Sequence, residues 1–297
     1  MLPALLAIVA VLTLSGLLGA ALTGSPTRRW GVYLLGAAVG LGAPWCIPRE
    51  PVLGRLLVGF SVVTLLLRGL DLTRASVPAP LGLRVVHAVS VVDSNQLVRG
   101  VPFLHGHALL RLLAFLALAA PTGYGTRALG QVPGWGPWAL RQLLGTAFLY
   151  ALVEVLLGTI LLGYGLAGLR APVLHRDPVL SRTLREFWGE RWNRSIHESL
   201  WRHGFSPLAR RGYGRAGIAV AFLASALLHV YLAAFAVDLR ASLGVGLFFL
   251  AQGALVLVER RLGVPRWPSW AQRAWTVAAL AGTVPLFLQG VLGALGW

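Results

Sequence analysis

The chain has 297 residues, of which 57% are hydrophobic and only 12% are charged, and its mean hydropathy is +0.72. Because soluble domains have about 25% charged residues, this composition excludes an ordinary soluble protein and predicts a chain embedded in a membrane. The net charge of +16 comes from 26 arginines and no lysine, but the arginines punctuate apolar segments instead of forming one basic stripe, which argues against nucleic-acid binding.

Eight apolar segments follow one another along the chain, each close to the roughly 20 residues that a helix needs to cross a bilayer. They are predicted at residues 2–22, 30–47, 51–69, 107–124, 142–166, 216–237, 241–258 and 274–295. Arg55 and Arg111 interrupt the third and fourth segments, which span only if these side chains reach a head group or the protein interior. The predicted fold class is therefore all-α: a single membrane-embedded domain over residues 1–297, with about eight transmembrane helices plus interfacial amphipathic helices.

The arginines between the predicted spans are distributed unequally, with 20 in connections on one side of the membrane and four on the other. By the positive-inside rule the Arg-rich connections, including the long one at 167–215, are cytoplasmic, and both termini lie outside. The mixed run at residues 84–100 predicts a short interfacial helix. A basic set without lysine, in a chain rich in Ala, Gly, Leu and Val, points to GC-rich codons and so to a bacterial inner membrane.

The 167–215 connection holds the most informative residues. Asp177-Pro178 predicts a turn, and Ser181 or Thr183 is a suitable helix cap. From Leu184 to His203, apolar residues recur four apart, which predicts one amphipathic interfacial helix with a stripe made of Leu184, Trp188, Trp192, Ile196 and Leu200. The same pattern also fits a plain membrane-surface anchor.

In addition to the arginines of the third and fourth spans, a histidine and a carboxylate lie well inside predicted spans. His229 in span six would lie about 20 Å along its helix, where loss of hydration favours a neutral imidazole that can accept a proton; a plain hydrogen bond to a neighbouring helix would also explain it. Glu154 in span five is expected to pair with Arg111 or another buried arginine in preference to a catalytic role, because an unpaired carboxylate in the membrane is costly. The other histidines, including His175, are expected to be ordinary, and Glu259, at the end of span seven, is expected to be solvated.

Read together, Phe187-Trp188-Gly-Glu-Arg191-Trp192-Asn193 and the membrane-buried His229 resemble the wax synthase branch of the membrane-bound O-acyltransferase superfamily. In that branch a Phe-Trp-x-x-x-Trp-Asn/His stretch precedes a buried histidine. The direct likeness covers about residues 180–260, while the first half of the chain matches only in hydropathy. Gln252-Gly253 stands where the family often has His-Gly.

The resemblance implies transfer of an acyl group from coenzyme A to a hydroxyl of an alcohol or lipid acceptor, through a direct ternary complex. His229 would act as general base and Asn193 would orient substrate or stabilise the oxyanion. Phe187, Trp188, Arg191 and Trp192 would line the substrate site, and a tunnel would join Asn193 to His229. Acyl-CoA enters as a co-substrate, and no metal and no permanently bound cofactor are implied. The arginines of the cytoplasmic connection would attract the anionic coenzyme.

Two other classes of function fit parts of the pattern. A proton-coupled transporter or lipid carrier could use His229 and Glu154 as a relay, although the chain lacks the two related halves that many transporters show. A catalytically silent membrane scaffold would explain the amphipathic helix but not His229. The acceptor could be a fatty alcohol, a glyceride, a sugar or another hydroxyl compound, because hydropathy does not reveal the width of a tunnel.

Overall fold

The protein is described here by a computed structural model that covers residues 2–48, 52–74, 80–103 and 106–297. Its α-helices are, in chain order, α1 (Leu2–Ala21), α2 (Pro26–Gly42), α3 (Val52–Thr73), α4 (Leu81–Val89), α5 (Gly106–Ala128), α6 (Trp135–Leu166), α7 (Leu184–Glu186), α8 (Arg194–Leu200), α9 (Ser206–Ala209), α10 (Gly214–Ala233), α11 (Leu239–Leu262) and α12 (Ser269–Ala294). Short 3-10 helices lie at Ala43–Cys46, Ser94–Gln96, Leu129–Gln131, Pro178–Leu180 and Val264–Arg266, and π-helical turns at Phe187–Arg191 and Trp201–Phe205. Strands β1 (Val98–Arg99) and β2 (Leu169–Arg170) form one antiparallel pair.

The predicted class is confirmed: the protein is an all-α, polytopic membrane protein. Each predicted span coincides with a helix, although Pro51, the predicted start of the third, lies outside the described residues. Within the described ranges, six helical segments are long and apolar enough to cross a membrane, those that contain α3, α5, α6, α10, α11 and α12. The apolar part of α1 is shorter (Leu5–Ala21), and α2 has 17 residues, or about 26 Å against a hydrocarbon core of about 30 Å. The count of eight is therefore reached only with these two shorter helices.

The chain divides into two compact units. The first comprises Met1–Gln96 and Leu228–Leu239, and the second comprises Leu97–Leu227 and Arg240–Trp297. In the first unit, α1 packs against α3 and α4 around apolar side chains that are almost fully buried. These include Val11, Leu18, Val58, Val62, Leu65 and Ala88.

Two arginines of α3 are accommodated inside the first unit. Arg55 donates to the Ile47 carbonyl oxygen at 2.9 and 3.2 Å, which explains how the third segment tolerates it. Arg68 was expected in a cytoplasmic connection, but α3 continues to Thr73 and Arg68 is 2% exposed. Its guanidinium binds Asp71 at 3.0 Å and the carbonyls of Ser90 and Val91. The placement expected for Arg68 is thus wrong, because these partners replace the water that a charged side chain otherwise needs.

The second unit contains a long antiparallel hairpin of α5 and α6. Gly123 of α5 faces the Phe148 ring of α6 so closely that an added Cβ atom would lie 2.8 Å from it. Any larger residue at position 123 would therefore force the Phe148 ring to move. In the same unit α11 runs antiparallel to α12, and α6 also packs against α12. These helices surround the segment that holds the predicted motif.

Candidate functional site

The motif segment is not one helix. Thr183 caps α7 by accepting a hydrogen bond from the Glu186 backbone N–H at 3.0 Å, as its sequence position predicted. A π-helical turn follows, closed by the bond from the Trp192 N–H to the Phe187 carbonyl (2.8 Å). Trp192 is then extended and Asn193 is left-handed (φ 36°, ψ 62°) before α8 begins. The single amphipathic helix expected over 184–203 is therefore wrong at Trp192 and Asn193.

The backbone at this break forms its hydrogen bonds with the loop that precedes α7. The Arg176 N–H donates to the Arg191 carbonyl, and the Arg194 N–H donates to the Leu174 carbonyl, each at 3.0 Å. Backbone polar groups that are shielded from water need such partners. The motif turn, which we define as residues 187–194, is consequently tied to the loop 173–177.

Aromatic rings hold the motif turn from one side. The Phe187 and Trp192 rings stack with centroids 5.4 Å apart, and the Trp192 ring lies 4.5 Å from the His175 ring. His175 in turn stacks on Tyr150 of α6 at 6.4 Å. Four rings from three stretches of the chain thus form one layer, in which Trp192 is central.

Trp188 points toward α11 and α12 instead. Its indole N–H donates to Gln252 Oε1 at 3.0 Å, and Gln252 Nε2 donates to Thr283 Oγ1 at 2.6 Å. Gln252 is fully buried, and Trp188 contacts the rings of Phe222 and Phe248. Gln252 occupies the position at which the wax synthase branch often has histidine, and it binds Trp188 of the motif.

Arg191 lies within the turn and organises it electrostatically. Its Nε binds Glu186 Oε1 at 2.7 Å, and its Nη1 donates to the Arg176 carbonyl at 2.9 Å. Burial alone would raise the pKa of Glu186, but hydrogen bonds from the Arg182 backbone N–H and from Arg191 outweigh it and lower that pKa. Glu186 is thus held as a carboxylate that fixes the Arg191 side chain.

Asn193 serves as the N-cap of α8, since its Oδ1 accepts a bond from the Ile196 N–H at 3.4 Å. The residue is partly buried, and its left-handed backbone is one that asparagine tolerates better than most residues. The cap uses the amide oxygen, so the amide nitrogen can donate elsewhere. One turn on, burial lowers the pKa of His197, which therefore favours its neutral form.

His229 lies on α10, fifteen residues after its first residue and four before its last, and it is partly buried. The predicted span continued to residue 237, but the helix ends at Ala233, about 6 Å beyond His229. His229 belongs to the first compact unit, whereas Phe187, Trp188, Arg191, Trp192 and Asn193 belong to the second. Within the second unit the structure brings these five motif residues together.

Glu154 pairs with Arg111, which confirms the expected ion pair and selects Arg111 from the arginines that could have formed it. Arg111 Nε and Nη2 bind Glu154 Oε2 and Oε1 at 3.0 and 3.1 Å, and Arg111 Nη1 binds Asp177 Oδ1 at 3.1 Å. His175 Nδ1 lies 3.0 Å from Glu154 Oε1. The expectation that His175 is an ordinary exposed side chain is wrong, because its side chain is 2% exposed against this carboxylate.

Glu259 was expected to be solvated, but it is 2% exposed. Its carboxylate accepts hydrogen bonds from the Leu184 and Arg185 N–H groups at 2.7 and 3.1 Å and from the Trp275 indole at 3.2 Å. A carboxylate at a helix N-terminus satisfies donors that have no partner within the helix. Sequence reasoning missed Glu259 and His175 because no local pattern marks a residue that binds a segment far away in the chain.

Comparison with known proteins shows a family and two relatives to which the chain is similar. Residues 171–251 match the membrane bound O-acyl transferase family. The chain is 30% identical over 146 residues to "Probable long-chain-alcohol O-fatty-acyltransferase 7" of Arabidopsis thaliana, covering 43% of this chain and 42% of that protein. It is also 30% identical over 140 residues to "Probable long-chain-alcohol O-fatty-acyltransferase 2" of the same plant, covering 44% and 39%.

The chain thus spans about two fifths of the length of these curated relatives. The matched segment, 171–251, contains the motif turn and His229. The resemblance to the wax synthase-like branch of the membrane-bound O-acyltransferases, first indicated by the motif residues, is confirmed by these similarities. Among the described residues, no group of three or more His, Cys, Asp or Glu side chains is arranged to hold a metal ion.

Proposed function

We propose that this membrane protein is an O-acyltransferase that moves an acyl group from acyl-CoA to the hydroxyl of an alcohol or lipid acceptor. The observation that carries the proposal is the family match over residues 171–251, which includes both the motif turn and His229. The names of the two relatives favour a long-chain alcohol as the acceptor and a fatty acyl group as the donor. The product would then be a wax ester.

In the proposed reaction, His229 takes the proton of the acceptor hydroxyl as its oxygen attacks the thioester carbonyl carbon. An alcohol is a poor nucleophile until a base removes this proton in the transition state. The new C–O bond forms, the C–S bond breaks, and the coenzyme A thiolate leaves and is protonated by the imidazolium. Asn193 donates its amide N–H to the oxyanion of the tetrahedral intermediate. No covalent acyl-enzyme is needed in this sequence.

The motif turn supplies the surroundings of the proposed substrate site. Phe187, Trp188 and Trp192 offer apolar faces to an acyl or alkyl chain, and Arg191 offers a charge held in place by Glu186. Seven arginines of the same connection are exposed, namely Arg170, Arg176, Arg182, Arg185, Arg210, Arg211 and Arg215. Their charge would concentrate the anionic coenzyme near the site. Acyl-CoA is then a co-substrate, and the enzyme needs no permanently bound cofactor and no metal.

The proposal includes an orientation and a domain organisation. The Arg-rich connection that carries the motif lies in the cytoplasm, where acyl-CoA is made, and both termini lie on the opposite side. The membrane is a bacterial inner membrane. Residues 1–297 act together as one acyltransferase domain. A proton-coupled transporter is the less suitable candidate, because both carboxylate oxygens of Glu154 are already bound by Arg111 and His175.

The test is a transferase assay with purified protein in detergent. Release of free thiol from a long-chain acyl-CoA is expected only when a long-chain alcohol is present, with the ester identified by mass spectrometry. His229→Ala should abolish release because it removes the base. His107→Ala is the matched control, since His107 lies on an exposed face of α5, and it should leave the rate unchanged. Wild-type rates in His229→Ala protein would refute the proposed role of the imidazole.

A further inference from the structure

A buried carboxylate, Glu154, lies at the centre of a polar cluster in the second unit. Its side chain is 4% exposed on a helix that is otherwise strongly apolar. Arg111 of the neighbouring helix binds both of its oxygens. Burying a charge in this way is costly unless it is paired and hydrogen-bonded. The acyl-transfer chemistry proposed above does not use this cluster, so its cost calls for another explanation.

His175 connects the cluster to the loop before the motif. Its Nδ1 lies 3.0 Å from Glu154 Oε1, so a proton on Nδ1 is donated to the carboxylate. Asp177, two residues later in the same loop, binds the outer nitrogen of Arg111 at 3.1 Å. Both ends of the short loop segment 175–177 are therefore fastened to the α5–α6 hairpin.

From this loop the connection to the motif turn is direct. The backbone groups on either side of His175 bond to Arg191 and Arg194, on either side of Trp192 and Asn193. The His175 ring also lies 4.5 Å from the Trp192 ring. A shift of the loop would consequently shift Trp192 and Asn193 as well.

We propose that Arg111, Glu154 and His175 are positioning residues that hold the motif turn, and with it Trp192 and Asn193, in the geometry needed for acyl transfer. The inference rests on the proposed function for its kinetic consequence but not for its structural one. Its physical basis is that displacement of a reacting or orienting group by about 1 Å can cost about 100-fold in rate, even when the substituted residue lies outside the chemistry.

The experiment compares three variants that change the hydrogen bond between Glu154 and His175. Glu154→Gln keeps the shape of the side chain and removes its charge. His175→Asn keeps an N–H donor near the place of Nδ1, whereas His175→Gln places its amide nearer the place of Nε2. Thr126→Val is the control, because Thr126 is also buried, at the opposite end of the α5 helix, where its hydroxyl bonds to the Thr122 carbonyl of the same helix.

Two quantities are measured: kcat and KM per folded molecule, and amide hydrogen exchange of a peptide covering residues 187–196. Glu154→Gln and His175→Gln should lower kcat about 10- to 100-fold with little change in the KM for acyl-CoA, and exchange in the peptide should quicken. His175→Asn should keep most of both properties, and Thr126→Val should change neither.

Unchanged exchange of the peptide in Glu154→Gln protein would overturn the proposal, as would equal effects of the two His175 variants. An unchanged kcat per folded molecule in an active enzyme would also overturn it. If the wild-type protein transfers no acyl group, the proposed function fails, but the exchange measurement still decides whether the cluster holds the turn.

Discussion

At the scale of single residues, Glu186 and Arg191 of the matched segment are fixed by specific partners. Glu186 accepts a bond from the Arg182 backbone N–H at 2.7 Å in addition to its ion pair with Arg191. Arg191 in turn bonds to the loop before α7 through the Arg176 carbonyl. Protonation of one carboxyl group therefore weakens several connections of the motif turn together.

This arrangement predicts a pH dependence of stability. The folded-state pKa of Glu186 is lowered, so its contribution is fully present above the unfolded-state pKa of about 4.3. It is lost as the pH falls further through the folded-state pKa. Glu186→Gln should therefore have a lower Tm than the wild type at pH 7, and this difference should shrink as the pH falls below about 4.3. Thermal unfolding in detergent at a series of pH values measures this difference in Tm. Glu190→Gln is the control, because Glu190 is exposed in the same turn. A difference that stays constant with pH would contradict the prediction.

At the scale of elements, the important feature is a break in a helix. The four-residue spacing of apolar side chains from Leu184 to Leu200 is helical, yet the chain is π-helical, then extended, then left-handed between α7 and α8. The break is stabilised by bonds to the loop 173–177 and by a carboxylate of α11, which caps α7. Helical periodicity thus describes the faces of the segment but not its continuity.

Asn193 lies at this break. Two substitutions can separate its backbone role from its proposed role in acyl transfer. Asn193→Gly keeps the left-handed backbone, loses the amide, and as a cap change should cost only a few tenths of a kcal/mol. Asn193→Ala loses the amide and also strains the backbone by about 1–2 kcal/mol. We expect acyl transfer to fall about 10- to 1,000-fold in both variants, with a clear loss of Tm only in Asn193→Ala. Full activity of the glycine variant would leave Asn193 as a turn residue alone.

At the scale of the whole molecule, the arginine distribution determines the proposed orientation in the membrane. Cys46, the single cysteine of the sequence, is exposed and lies in the 3-10 helix that follows α2. With both termini outside, the end of the second predicted span also faces outside. The residue is therefore a natural probe of the orientation.

A membrane-impermeant maleimide should label Cys46 in intact cells. The comparison is a Cys46→Ser chain carrying Arg211→Cys in the exposed part of the long cytoplasmic connection, which should react only after the membrane is permeabilised. The opposite pattern would show that the termini are cytoplasmic.

The sequence by itself determined the helical class, the approximate limits of the long helices, the family resemblance and the need of Glu154 for an arginine partner. These features follow from local composition, or from the cost of leaving a charge unpaired in an apolar helix. Only the tertiary structure decided that the motif helix breaks at Trp192 and Asn193, and that His175 and Glu259 are buried. Each depends on contacts between distant parts of the chain, such as Glu259 with the Leu184 N–H. Periodicity reports which side of a segment is apolar, whereas a partner from another element decides where its backbone and charges are satisfied.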